Sequence, residues 1–501
     1  MYRAEFIAAA DLGSNSFHMI VARLKDGHLD VVDRMREGVM LGAGLDAQGC
    51  LTTEAQDRAV ACLERFGQRV REVSPGRVRA VGTNTLRRAK NGLEFLERAQ
   101  VALGHPIEII AGKEEARLIY LGMAQTAAHD EGRRLVVDIG GGSTECAIGE
   151  GFDILQSDSL FMGCVSVSLE FFGDGVLTKE RFQRANVAAK LEAQSIESAF
   201  RRLGWQKALG CSGTILSIDD ILHANGWGDV ITAKGLKRFR KAMITHGHTS
   251  ALDLLGVPTE RRAIIPGGLA ILEAIFETLG IEVMGRSPGA LREGLLYDLV
   301  GRIRHEDTRD RTIRVFCERY GVDRRQSERV ERTAHWILEH VAGPWHLEVA
   351  RATQVLSWAA QLHEIGLSIS HTGYHKHSAY LVTYADMAGF SREDQRLLAA
   401  VILAHRRKIR RDVFVGIARA EIDAAMRLAA VFRLACALHR SRSSAPLPDT
   451  SVTADGRCLR IEFPSDWLSA NPLTNADLLQ HRQALASIGI ELDLRSRTRD
   501  T

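Results

Sequence analysis

The chain has 501 residues, 45% hydrophobic and 25% charged, with a net charge of +3. At about 150 residues per domain the length holds three or four domains, and so neutral a balance provides no overall field for nucleic acid or an anionic membrane. Its eight cysteines are scattered without a Cys-x-x-Cys pair, which argues for reduced thiols over a disulfide frame or structural zinc.

From Phe6 the chain reads as a strand ending in Asp11-Leu12-Gly13-Ser14-Asn15-Ser16, followed by a second strand over 17–22. Apolar residues at helical spacing (Ala55, Ala59, Cys62, Leu63, Phe66, Val70) predict a helix over 52–73. A short strand at 78–81 runs into Gly82-Thr83-Asn84-Thr85-Leu86-Arg87-Arg88, and another at 107–110 into Gly112-Lys113-Glu114-Glu115 and a helix over 116–125. Leu135 opens a second strand–turn–strand unit, Asp138-Ile139-Gly140-Gly141-Gly142-Ser143-Thr144-Glu145. Strands alternating with helices predict an α/β fold with its ligand at the carboxyl ends of the strands. Beyond Gly301 the chain becomes charge-dense and then mainly helical to about 445, with a Ser-Pro-rich linker at 441–449 and a strand–helix–strand end. No apolar run reaches the roughly 20 residues of a membrane span. The first motif begins too early for a cleaved leader, so the expected compartment is the cytoplasm.

The two aspartate–glycine turns carry the strongest chemical signal. Glycine lets bare amides approach an anion, and Ser14, Asn15, Ser16 and Ser143 add neutral donors. Asp11 and Asp138 beside such turns suit a Mg²⁺ ion or an oriented water better than a phosphate. A third turn, Ser212-Gly213-Thr214, follows another strand, and three such turns point to a polyphosphate-like ligand held between duplicated lobes. Glu114 is adequately explained by the helix N-terminus, where an acid contributes about 0.3–1 kcal/mol. Glu115, on the same rim as both turns, is the candidate general base for water attacking phosphorus. Glu145 is a candidate metal ligand, and Arg87 a candidate phosphate grip. The basic runs at 314–332 and 405–411 read as solvated faces, or as one groove for a long polyanion.

Taken in order, these motifs resemble the exopolyphosphatase/guanosine pentaphosphate phosphohydrolase family. They include Val81-Gly82-Thr83-Asn84, Gly112-Lys113-Glu114-Glu115-Ala116-Arg117, Ser212-Gly213-Thr214, Ile265-Pro266-Gly267-Gly268 and Gly289-Ala290-Leu291-Arg292-Glu293-Gly294. The Gly140-Gly141-Gly142 turn leans toward the exopolyphosphatase branch. The resemblance implies two actin-like (ribonuclease H-like) lobes at 1–123 and 124–303, a helical HD-like domain at 304–445 and a small α+β domain at 446–501. It implies Glu115 as base, with Asp11, Asp138 and Glu145 around Mg²⁺, and leaves K⁺ open as an activator. It also implies Thr83, Asn84 and the three turns on phosphate, and a homodimer. The expected substrate is inorganic polyphosphate, with guanosine pentaphosphate as the alternative; neither nucleic acid nor a membrane is an expected partner. An actin-like ATPase, or a sensor without turnover, fits the intact acids less well. In the HD-like part, His363-Glu364 stands where a His-Asp pair would be expected, and Cys436 where an aspartate would. His371, His375, His377 and His405 therefore read as scaffold or phosphate-guiding residues rather than a second catalytic centre.

Overall fold

The computed structural model describes residues 6–25, 28–74, 76–126, 132–287, 289–303 and 307–497. Its contacts divide the chain into two compact units, one through Thr308 and one from Arg309. In the first unit, β1 (Phe6–Leu12), β2 (Ser16–Lys25) and β3 (His28–Gly38) form an antiparallel meander. Strands β4 (Val78–Gly82) and β5 (Ile107–Ile109) extend the sheet in parallel, giving the order β3-β2-β1-β4-β5. The wiring then repeats. Strands β6 (Arg133–Ile139), β7 (Thr144–Glu150) and β8 (Asp153–Leu160) form the second meander, and β9 (Lys207–Cys211) lies parallel beside β6. With β10 (Ile231–Thr232) and β11 (Val283–Arg286), that sheet runs β10-β11-β9-β6-β7-β8. Two sheets with the same core wiring are the paired lobes of an actin-like α/β fold.

Alternation along β1 assigns its side chains to two cores. Ala8 and Ala10 pack outward against the Thr53–Val70 helix and its neighbours, where Ala55, Ala59, Leu63 and Phe66 are buried as the spacing predicts. Ile7 and Ala9 face a different cluster, shared by both sheets and by the Gly112–Thr126 and Leu291–Ile303 helices. These helices touch through backbone: a Cβ on Gly294 would lie 1.8 Å from Leu118 O, and one on Gly122 would lie 2.1 Å from Ala290 O. The lobe boundary expected at 123/124 therefore falls inside a helix. The one at 303/304 abuts residues 304–306, which lie outside the described residues.

The second unit is helical from Thr308–Arg319 to Ile422–Leu438 and ends in β12 (Ser451–Asp455), β13 (Cys458–Phe463), the Pro472–Ala486 helix and β14 (Glu491–Ser496). The sheet order is β12-β13-β14. Leu459, Phe463 and Leu478 share one continuous core with Val330, Leu356 and Phe432, and Trp345 Nε1 donates to Gly456 O at 3.0 Å. The terminal sheet expected as a separate domain from 446 is thus built onto the helices. Among the described residues, no helix is long and apolar enough to cross a membrane.

Candidate active site between two glycine turns

The first turn leaves β1 at Asp11 and can close only around glycine, since a Cβ on Gly13 would lie 2.9 Å from Ser16 O. Backbone amides of Met40 and Gly42 fix it from outside, donating to Asn15 O at 2.8 Å and Ser14 O at 2.7 Å. Thr85 Oγ1 donates to Ser14 Oγ at 2.8 Å. The second turn leaves β6 after Asp138 and closes through Gly140 N to Ser143 O at 2.9 Å. The two turns abut across the lobes: a Cβ on Gly141 would lie 3.1 Å from Ser14 Cβ and 3.6 Å from Asn15 Cβ. Ser212, Gly213 and Thr214 begin the 13-residue helix after β9, presenting a helix N-terminus, which favours anions.

These pieces enclose one cavity of about 370 Å³. Gly13, Ser14, Asn15, Ser16, Thr83, the four residues from Gly140 to Ser143, and Ser212 to Thr214 line it, with the carboxylates of Asp11, Glu115 and Asp138. Burial, reinforced by the charge of Glu115, pushes Asp11 up to about 8 and Asp138 up to about 7. Arg292 opposes both shifts, and a Cys211 hydrogen bond opposes that of Asp138. Asp11 and Asp138, buried beside the Glu115 charge, resist ionisation until a cation joins them.

Three expected residues do not line this cavity. Arg87, expected on phosphate, instead donates through Nη1 to Glu115 Oε2 at 2.7 Å and to Ile110 O at 3.0 Å. Asn84, also expected on phosphate, donates through Nδ2 to Gly142 O at 2.9 Å and so ties one lobe to the other lobe's turn. Glu145, expected on the metal, lies opposite Asp138 in the β6–β7 ladder and accepts from Ser159 Oγ at 2.8 Å. Burial first, then the Glu115 charge, raises its carboxyl well above the usual range. Glu114 lies in the first turn of its helix as expected, and is also buried and paired with Arg117 at 2.7 Å, within a network that includes Arg79 and Asp298.

Among the described residues, no three His, Cys, Asp or Glu side chains are arranged to hold a metal by themselves. The expected trio of Asp11, Asp138 and Glu145 is therefore not a closed protein cage, because Glu145 is turned to Ser159. The donor set nevertheless fits a hard cation: Asp11 Oδ1 is buried with no hydrogen-bond partner, and Asp138 lines the same cavity. Mg²⁺ is usually held by one or two carboxylates together with substrate phosphates.

The sequence reading left out the cavity's cations. Arg36, Arg261, Arg292 and His18 all line it. Arg292 Nη1 donates to His18 Nδ1 at 3.1 Å, and His18 Nε2 is 2.8 Å from Ser16 Oγ, so the imidazole proton sits on Nε2. Burial, Arg292, Arg36 and Arg261 press His18 down to about 3, which keeps it neutral. Arg292 lay inside a quoted motif and could have been found there. Arg36, on a charged edge strand, and Arg261, in a loop, carried no local signal.

Comparison with known proteins places the chain. The Ppx/GppA phosphatase family matches residues 20–303, and Ppx/GppA phosphatase, domain III, matches residues 308–482. A guanosine-5'-triphosphate,3'-diphosphate pyrophosphatase of Aeromonas hydrophila is 40% identical over 95% of this chain and 96% of its own length. A protein of the same name from Pseudoalteromonas translucida is 38% identical over 97% of each. Among solved structures, the Ppx/GppA family member of Aquifex aeolicus is 27% identical with a TM-score of 0.51, covering 60% of this chain and 98% of its own. An exopolyphosphatase of Cytophaga hutchinsonii, 24% identical with a TM-score of 0.54 over 59% of this chain and 98% of its own, shares the fold. The chain belongs to the Ppx/GppA phosphatase family.

Proposed function

We propose that the chain hydrolyses the terminal 5′ phosphoanhydride of guanosine 5′-triphosphate,3′-diphosphate, releasing orthophosphate. The observation that carries this reading is the similarity, at 38–40% identity along nearly the whole chain, to relatives named for guanosine-5'-triphosphate,3'-diphosphate hydrolysis, which favours the alternative substrate over the polyphosphate expected from Gly140-Gly141-Gly142. The cavity lends support: it has amide turns and acids for one phosphate group, and Arg36 and Arg261 for a second charged group of the same substrate.

In this reading the three turns hold the terminal phosphate oxygens by backbone amides and small hydroxyls. Glu115 accepts the proton of a water as its oxygen bonds to the terminal phosphorus and the bridging P–O bond breaks. Arg87 holds the Glu115 carboxylate in place, and Arg292 stabilises charge gathering on the phosphoryl oxygens. Positioning and charge stabilisation are the main resources for such a transfer. Asp11 and Asp138 would hold Mg²⁺, with Glu145 behind them. The ion, when bound, would neutralise phosphate charge.

The test is phosphate release with guanosine pentaphosphate, long-chain polyphosphate and ATP side by side, with Mg²⁺ and with a chelator. The expected result is the highest kcat/KM on guanosine pentaphosphate, lost on chelation. Faster turnover of polyphosphate would overturn the substrate, and turnover that survives chelation would overturn the metal.

A further inference from the structure

The second unit contains a cavity of about 450 Å³ that the reaction above does not use. Three histidines on its wall have tautomers fixed by their partners. His363 Nδ1 is 2.8 Å from Ala360 O and His405 Nδ1 is 2.5 Å from Ile402 O, so each keeps its proton there and leaves Nε2 as an acceptor. The Nε2 of His405 is met by the Tyr374 hydroxyl at 3.3 Å, whereas that of His363 lies 3.9 Å from Glu364 Oε1. His481 is reversed: its Nδ1 accepts from Arg433 Nε at 2.6 Å, so Nε2–H is a free donor. Burial presses all three imidazoles down, His481 to about 3.

Guanidinium groups complete the wall. Arg442 is held by Glu364 at 2.5 Å and Asp323 at 2.9 Å, and Arg440 by Asp477 at 2.5 Å. Arg406 lies over the Tyr374 ring at 4.9 Å and has no carboxylate partner among the described residues. The backbone is left-handed at Arg442, φ 56°, and at Arg407, φ 64°, a conformation that side-chain-bearing residues hold only where the surroundings impose it, often at ligand clamps. The same wall disfavours a metal. Glu364 is spent on Arg442, the Cys436 thiol is pushed up by burial and Glu364 and stays protonated, and no metal-holding trio exists among the described residues.

We propose that this cavity binds a phosphorylated small molecule of nucleotide size, its phosphate on Arg406 and Arg440 and its polar ring edge between the His481 donor and the His363 acceptor. Its volume falls within the roughly 300–1,000 Å³ of small-molecule sites. The pairing of His363, His405 and His481 with a fixed buried frame supplies the preorganised polar groups that such sites use for orientation.

The experiment is hydrogen–deuterium exchange on the full chain with guanosine 5′-monophosphate, inorganic phosphate serving as the second arm. At a ligand concentration ten times the dissociation constant, exchange in 363–375, 402–408 and 436–442 slows roughly tenfold. Phosphate alone at the same concentration slows it less. The slowing disappears in Arg406→Ala/Arg440→Ala, while phosphate release at the first site is unchanged; Arg440→Gln, at an exposed side chain, weakens it even if the double variant folds poorly. No slowing in these segments, slowing that persists in the arginine variants, or equal slowing by phosphate alone would overturn the proposal.

Discussion

The two cavities use opposite materials, and the difference separates what a linear sequence reveals from what folding adds. The first is built from backbone turns and acids, with Asp11 and Asp138 beside Glu115 and raised by burial. The second is built from side chains of distant segments, with His363, His405 and His481 buried so that imidazoles are pressed down. Desolvation acts in both, and its sign follows the charge type. The same burial that discourages charge on Asp11 and Asp138 in one cavity discourages it on His363, His405 and His481 in the other.

The largest effect expected from that contrast is Glu115→Gln, which should lower kcat by about 10²–10⁴-fold, the range of a lost general base. Calorimetric substrate affinity should persist. Glu364→Gln in the other cavity should leave kcat unchanged, and a comparable loss there would erase the division of labour. Gly294→Ala comes next. Its Cβ would meet Leu118 O, and overpacking of this kind costs about 1–3 kcal/mol, read as a lower Tm. Gly343→Ala, whose Cβ meets nothing within 4 Å, is the neutral control.

A smaller effect concerns pH. Asp11 and Asp138 have folded values of about 8 and about 7, above the ordinary 3.8. Their protonated forms therefore favour the folded state fully below about 4, and that advantage is lost as pH rises through 7 to 8. In chelator the Tm should fall across this window by thermal scan, and Mg²⁺ should flatten the slope, since metal binding displaces the protons. A chelated protein with a flat profile would remove the acids from the metal site. The smallest expected change is in Arg87→Lys. Lysine keeps a charge near Glu115 but loses the planar fork, so kcat should fall while KM holds. A change in KM alone would return Arg87 to phosphate binding.

Much of the first cavity was legible because its chemistry is local. A strand, an aspartate and small residues declare a turn, and Gly13 and Gly141 sit where side chains would collide. Glu115 was legible from its place at a strand-to-helix junction. What was not legible depends on partners far away in sequence. Nothing near Arg87 announces that it pairs with Glu115, nor does the sequence near Asn84 announce its hold on Gly142 O. Arg261 comes close only through tertiary packing, where a Cβ on Gly213 would lie 1.9 Å from its Nη2. The fold followed the same rule. The two strand–turn–strand units were readable from the repeated aspartate–glycine turn, but the terminal sheet joined the helical core through Leu459 and Phe463, whose destination no pattern gives.

The glycine contact between the Gly112–Thr126 and Leu291–Ile303 helices has a mechanical meaning. Glu115 rides on one and Arg292 on the other, and with carbonyls pressed against Cα atoms there is no slack for sliding. The proposed proton acceptor and charge clamp therefore travel as one rigid block, and any breathing of the lobes is expected to pivot around that block and leave the spacing of the two groups untouched.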